Sequence, residues 1–237
     1  MKYLNLDPSI VGAEDAEDKI AASELLEKKL AEIDKQLKQL PVTDTTPPNN
    51  RAELLLDYAD TCLELQKNFT AWQMAHQAFQ LFTSLENWEG VVQACHILFK
   101  TEQPDSLAAL GNGVWLAVTF PIDPELSVLM LEYIVSETPD DSDGGAVAAA
   151  AAHYIVDLRT EGQIRENLLF FTNQLLAKVA RRHSQVNNQA DFEAWFKRLE
   201  LDSPPDFLGR LAQVLEVIVQ DNWWIDREAL RARLSIH

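Results

Sequence analysis

The segment Glu102-Gln103-Pro104-Asp105 recurs thirty-five residues later as Glu137-Thr138-Pro139-Asp140. In both places the segment lies between two apolar runs with helical spacing. Because proline and aspartate favour turns and helix starts, each copy marks the end of one helical unit and the beginning of the next. A fixed period of this size indicates a repeated pair of helices, and stacked pairs present extended surfaces suited to binding.

Helical signals also run through the rest of the chain. Residues 14–40 carry leucine and isoleucine at alternating spacings of four and three, which predicts an amphipathic helix. Residues 1–13 are predicted to be a flexible N-terminus, and residues 41–50, rich in Pro, Thr and Asn, a linker. Residues 51–237 are predicted to form one helical-repeat domain. Its helices are expected at 51–66, 70–84, 87–101, 105–119, 123–137, 143–159, 161–183, 189–200, 205–220 and 225–234.

No run in the sequence shows the alternation of apolar and polar residues that is typical of a half-buried strand. We therefore predict an all-α fold of stacked antiparallel helix pairs with an additional N-terminal amphipathic helix. The alanine run 148–152 is predicted to lie in a central packing helix, because alanine favours helix and lets neighbouring helices approach closely.

The apolar positions of the two units have a recognisable order. The first unit carries Trp72, Ala75, His76 and Phe79 on one helix, and Pro104 closes the unit after the next helix. The second unit follows the same plan, with Leu107, Leu110, Gly111 and Val114 followed by Ser127, Leu131, Ile134 and the closing Pro139. This order resembles the tetratricopeptide repeat family over residues 70–140. The resemblance implies a TPR-like α-solenoid that binds protein segments along the first helix of each pair.

In the resembled family, the first helices of successive pairs line the binding groove. The resemblance therefore implies that partner contacts are made by the side chains at the corresponding positions of this chain. These candidate partner-binding residues are Trp72, His76, Phe79, Asn112 and Trp115.

Acidic residues are concentrated in the repeated region. Twelve acidic residues and one basic residue, Lys100, lie between positions 68 and 158, so this segment supplies most of the net charge of −17. Nucleic acid is excluded as a ligand because phosphate binding depends on clustered Lys and Arg. Capture of an acidic peptide tail is excluded for the same reason. We expect a protein partner that offers a basic or apolar segment, although a solvated outer surface would explain the acids equally well.

No motif indicates an enzyme, a cofactor or a metal. The five histidines do not have a metal-ligand spacing, and the turn after Asp141 lacks the Gly and Glu that a calcium loop requires. Gly111 and Gly113 lie inside a helical pattern without the Lys that follows a phosphate-binding loop, which favours close helix packing. Cys62 and Cys95 lie on apolar helix faces and are predicted to be buried thiols.

The first residues and the hydropathy of the sequence indicate where in the cell the protein is expected. Met1–Asp7 lacks the basic and apolar pattern of a secretory signal, and no stretch of eighteen apolar residues is present. We therefore predict a cytoplasmic protein without membrane insertion. The N-terminal helix is expected to dock on the body or to fray, with homodimerisation as the alternative.

The last third of the sequence has a different character. Lys178, Arg181, Arg182 and His183 gather at the end of a predicted helix, where they either complement the helix dipole or contact an acidic partner. Trp223 and Trp224 are expected to seal the core, with an exposed partner anchor as the alternative.

Two functions fit these observations. The first is a cytoplasmic protein-interaction or assembly scaffold that binds a basic or apolar segment. The alternative is a compact all-helical maturation chaperone for a metalloenzyme or a multi-subunit complex.

Overall fold

The computed structural model of the chain describes residues 16–40 and 48–234. These residues form eleven α-helices and no strand, which confirms the predicted all-α fold. In chain order the helices are α1 (Ala16–Gln39), α2 (Pro48–Glu64), α3 (Asn68–Ser84), α4 (Trp88–Lys100), α5 (Ser106–Thr119), α6 (Pro124–Glu137), α7 (Asp143–Arg159), α8 (Gly162–Ser184), α9 (Gln189–Arg198), α10 (Pro204–Val219) and α11 (Arg227–Leu234).

The helix boundaries follow the turn signals of the sequence closely, with one larger difference at α2. This helix begins at Pro48, inside the predicted linker 41–50. Proline is well tolerated in a first turn because its nitrogen needs no intrahelical acceptor there. The predicted flexible N-terminus 1–13 and residues 41–47 of the linker lie outside the described residues.

Polar side chains cap the starts of several helices. The hydroxyl of Ser142 caps α7, because it accepts a hydrogen bond from the Gly144 N–H at 3.2 Å. Asp143 is the first residue of the helix, and its carboxylate is engaged elsewhere. At the start of α11, Asp226 Oδ1 accepts a hydrogen bond from the Ala229 N–H at 3.0 Å.

The helices from α2 to α8 form two layers. The even-numbered helices α2, α4, α6 and α8 lie side by side, each in contact with the next. The odd-numbered helices α3, α5 and α7 form the second layer, each packed between two even-numbered neighbours. This consecutive packing is compatible with a helical-repeat fold. Both copies of the repeated segment occupy equivalent places, in the turns that lead into α5 and α7.

The C-terminal helices return to the second layer. We call the outer surface of α3, α5 and α7 the odd-helix face. Helix α10 packs on this face against α5 and α7. The chain therefore covers with its own C-terminal part the face on which the resemblance places partner binding.

Small residues make these close approaches possible. The alanine run of α7 is buried throughout, which confirms its predicted packing role. Gly111 and Gly113 serve helix packing as predicted, since a Cβ at Gly113 would lie 2.7 Å from Cys95 Cβ. Cys62 and Cys95 are buried and free, as predicted. At the other end, α1 docks on α2 through the buried side chains of Leu30 and Ile33.

Candidate functional site: two partner-binding surfaces

Three of the predicted contact residues form an aromatic nest around Trp224. Trp72, His76 and Phe79 follow one another at helical spacing on one side of α3. The Trp224 ring meets all three edge-on, with centroid distances of 6.1, 5.8 and 5.4 Å. Edge-to-face geometry is the favoured arrangement of aromatic rings. Trp72 and His76 also line a surface depression of about 440 Å³ beside Trp224.

The other two predicted contact residues are covered. The Asn112 side chain has no exposed surface, its amide donates to the Asn222 carbonyl at 3.4 Å, and its oxygen accepts from the Trp224 N–H at 3.0 Å. Trp115 is only 5% exposed, with the Arg231 guanidinium 5.6 Å from its ring. In this conformation neither residue is open to a partner. Both contact the chain's own C-terminal segment, which we define as residues 220–234.

Polar contacts also hold the C-terminal segment at its two ends. The Asn222 amide donates a hydrogen bond to Asp105 Oδ1 at 3.0 Å, on the first copy of the repeated segment. Both terminal nitrogens of Arg233 donate to Glu86 Oε1, at 2.7 and 2.6 Å. The odd-helix face thus binds an aromatic and arginine-bearing segment, although the segment belongs to the same chain.

The cationic end of α8 pairs with the acidic turn before α7. Arg182 lies 3.3 Å from Asp140 and donates to the Val135 carbonyl at 2.6 Å. His183 lies 3.1 Å from Asp143. Asp140 of the second copy of the repeated segment is therefore paired within the chain, and these contacts serve the packing of α8 against α6 and α7.

A groove that sequence analysis did not identify lies on the opposite layer, between α2 and α4. It has a volume of about 830 Å³. Leu56, Leu63 and Ile97 supply apolar surface in it. The remaining lining is polar and contains three acids and one base: Asp57, Asp60, Glu64, Asn68, Gln93, His96 and Lys100. We call this cleft the α2–α4 groove.

The three carboxylates of the groove differ from the other acids described above. Asp57, Asp60 and Glu64 are exposed, and none of them forms an ion pair with another residue that the structure describes. Partial burial raises the pKa of the Asp57 carboxyl, an effect that Lys29 opposes and Asp60 reinforces. A cation entering the groove would relieve this unfavourable environment of the charged carboxylate. The groove is thus suited electrostatically to a positively charged ligand.

The acidic strip continues beyond the groove. Asp57 also lines a second depression of about 490 Å³ between α1 and α2, together with Glu53 and Leu54. Helix α1 is fixed nearby by an ion pair of 2.6 Å between Glu27 and Lys67. A partner segment that fills the α2–α4 groove could therefore extend towards α1 along an acidic and partly apolar path.

The sequence contained a signal for the groove. Asp57, Asp60 and Glu64 have spacings of three and four, which place them on one face of α2. Leu56 and Leu63 follow the same helical period beside them. On a helix at the edge of the repeat, an acidic stripe beside an apolar stripe indicates a binding surface. This pattern of α2 would have pointed to the groove.

The histidine in the groove is unsuited to acid–base work near neutral pH. Burial, with a smaller contribution from Lys100, lowers the pKa of His96 to about 4. Its Nε2 lies 3.1 Å from the Tyr133 hydroxyl, and the two rings stack. His96 is thus neutral and fixed as a wall of the groove. Burial also raises the pKa of the neighbouring Cys95 thiol, which disfavours the reactive thiolate.

No helix of the described residues combines the length and hydropathy needed to cross a bilayer. The described residues contain no group of three or more His, Cys, Asp or Glu side chains placed to hold a metal ion. Comparison with protein families, curated proteins and solved structures gave no match to this chain.

Proposed function

We propose that the protein is a cytoplasmic interaction or assembly scaffold that binds a basic, partly apolar segment of a partner protein in the α2–α4 groove. The observation that carries the proposal is a set of three exposed carboxylates that, within residues 16–40 and 48–234, form no ion pair and lie beside the apolar side chains of the groove. Arginine or lysine side chains of a partner would pair with Asp57, Asp60 and Glu64. Apolar side chains between them would cover Leu56, Leu63 and Ile97.

The magnitude of the charge contribution sets the expected effect. Exposed ion pairs contribute about 0.5–1 kcal/mol each, so three pairs contribute about 2 kcal/mol. Their loss corresponds to a weakening of the affinity by roughly ten-fold or more. The contribution is screened by salt, so binding should weaken as ionic strength rises.

Affinity purification with the full-length chain tests the proposal. The wild-type protein is compared with a triple variant that carries Asp57→Asn, Asp60→Asn and Glu64→Gln. We expect recovery of the specific partner from a native lysate to drop at least ten-fold with the variant. The three side chains are exposed, so the variant is expected to fold.

A matched control separates local from general electrostatics. Glu200→Gln, Asp202→Asn and Asp206→Asn remove the same number of charges from exposed positions near the start of α10, far from the groove in sequence. This control should retain the partner. If the wild type and both triple variants recover equal amounts of the partner, the partner does not bind in the α2–α4 groove.

A compact maturation chaperone is the second candidate. The observation in its favour is the continuous core, which runs from α2 to α11 because α10 folds back onto the odd-helix face. A closed body of this kind suits a protein that holds one client. A purified complex that contained only the immature form of a metalloenzyme or complex subunit would favour this candidate over a scaffold.

A further inference from the structure

The C-terminal segment 220–234 is bound to the odd-helix face in the manner of a ligand. It buries only Ile225 and Leu230, with 7% and 8% of their surfaces exposed. Its one helix, α11, has eight residues and is too short to be stable alone. The segment is therefore held by the side chains that it meets on α3 and α5 and at the ends of these helices.

We propose that the odd-helix face is a second binding surface, for a partner segment that carries an aromatic residue followed by arginines, and that residues 220–234 occupy it as a releasable intramolecular ligand. This proposal does not depend on the α2–α4 groove. It concerns a different layer of the molecule and a different set of side chains.

The aromatic nest defines the first element of the ligand. Trp72, His76 and Phe79 surround Trp224 on α3, and the depression beside them leaves Trp72 and His76 partly open to solvent. A flat aromatic side chain is the group that such ring edges and faces accommodate. An aromatic residue of a partner would replace Trp224 in the nest.

Asn112 defines the second element, which is independent of the ligand's sequence. It accepts from the backbone N–H of Trp224 and donates to the backbone carbonyl of Asn222. Both interactions involve main-chain groups that any residue other than proline provides. A partner segment with the same backbone conformation would make the same two hydrogen bonds.

Arginines define the third element. Arg231 and Arg233 follow Trp224 after seven and nine residues, and they reach Trp115 and Glu86 respectively. Arginine suits both places, because its planar guanidinium stacks on aromatic rings and donates two hydrogen bonds to one carboxylate. The expected partner segment therefore has an aromatic residue with arginines two turns further along.

The contacts at the ends of the segment favour release. The pair of Arg233 and Glu86 is more than half exposed on both sides, and such pairs add little to stability. Segments with few buried apolar contacts open locally at low cost. However, the tethered segment competes with any partner segment at an effective concentration in the millimolar range. The apparent affinity for the partner is therefore reduced to the fraction of molecules in which the C-terminal segment is released.

A labelled peptide with the sequence of residues 220–234 tests the proposal without a known partner. The peptide is titrated into the full-length wild-type chain and into full-length Trp224→Ala, whose own segment can no longer fill the nest. We expect Trp224→Ala to bind the peptide at least ten-fold more tightly than the wild type does. Equal affinities for the two chains, or no binding to Trp224→Ala, would overturn the proposal.

The neighbouring tryptophan provides the matched control. Trp223 donates to Glu216 at 3.2 Å and lies under the Arg227 guanidinium, so its contacts are with α10 and α11. Full-length Trp223→Ala should bind the peptide no more tightly than the wild type does. A peptide with alanine in place of Trp224 should not bind to any of the chains. Tight binding of that peptide would show non-specific adsorption and contradict the proposal.

A second variant avoids any loss of packing in the nest. Arg233→Glu changes an exposed side chain and places a like charge opposite Glu86, so it should loosen the segment and raise the affinity for the wild-type peptide at least three-fold. No increase would count against the proposal. The triple variant of the α2–α4 groove should bind the peptide as the wild type does, so failure of one proposal is distinguishable from failure of the other.

Discussion

Replacement of Gly111 by alanine tests whether α10 is seated on α5 as closely as the structure shows. Gly111 lies in the middle of α5 and faces the end of α10. A Cβ at this position would lie 2.1 Å from Val219 Cγ2 and 3.7 Å from Ile218 Cγ2. Carbon atoms pack favourably at roughly 3.5–4.0 Å, so Val219 would have to move by more than about 1 Å.

The expected magnitude follows from two opposing effects. Alanine is favoured over glycine in a helix interior by about 1 kcal/mol. Overpacking of a well-packed core costs about 1–3 kcal/mol. Val219 is 2% exposed, and a β-branched side chain in a helix has one strongly preferred rotamer, so the cost lies at the upper end. We expect Gly111→Ala to lower the free energy of unfolding by about 2 kcal/mol.

Gly209 provides a matched control on α10 itself. No atom lies within 4 Å of a Cβ placed there, so Gly209→Ala has only the helix-propensity gain. It should raise the free energy of unfolding by about 0.5–1 kcal/mol. Urea unfolding monitored by circular dichroism of the helices measures the free energy of unfolding of both variants. The dependence of this free energy on urea concentration should be the same in the variants and the wild type. A Gly111→Ala protein as stable as the wild type would refute the close packing of α10 on α5.

Three further predictions concern a buried asparagine, a buried histidine and the two buried cysteines. Asn112→Ala leaves the Trp224 N–H without its acceptor, so protection of this amide from hydrogen exchange should fall about ten-fold or more, as expected for a loss of about 1–3 kcal/mol. Burial lowers the pKa of His96 from 6.5 to about 4, so the unfolded chain binds the proton more readily. Stability should therefore decrease as pH falls from 6.5 to about 4, by up to about 3 kcal/mol, and His96→Gln should lack this component in pH-dependent unfolding. Cys62 and Cys95 are buried, so a thiol reagent should label neither until the chain is denatured.

The helix pairs could be predicted because their signals are local. Proline, aspartate and helical apolar spacing act within one or two turns of chain, and they gave most helix boundaries to within a few residues. The two copies of the repeated segment lie in equivalent places, before α5 and before α7.

The return of the C-terminal part could not be predicted because its signals are not local. Gly111 indicates close packing, but nothing in the sequence identifies Val219, more than one hundred residues later, as the neighbour. Likewise, Asp105 accepts a hydrogen bond from Asn222 across a separation of 117 residues. The resemblance to an open repeat array suggested a free groove. The contacts of Asn112 and Trp115 show instead that the C-terminal segment occupies this part of the odd-helix face.

The structure also changes the interpretation of the acidity. Several acids of the region 68–158 are paired inside the molecule: Glu86 with Arg233, Asp140 with Arg182, and Asp143 with Arg210. Each cationic partner comes from the last third of the chain, which has as many basic as acidic residues between 159 and 237. A part of the acidity that was expected to attract a partner therefore holds the C-terminal third in place.

Asp57, Asp60 and Glu64 on α2 have no ion pair within the part of the chain that the structure describes, and they precede the most acidic region of the sequence. Local acid density is therefore a poor guide to where a charged ligand binds in this chain, because it counts charges that are neutralised on folding. What matters for steering is the charge that remains unpaired in the folded state. Neutralisation of Asp57, Asp60 and Glu64 should thus affect partner binding, whereas neutralisation of Asp140 or Asp143 should affect the packing of α7, α8 and α10 instead.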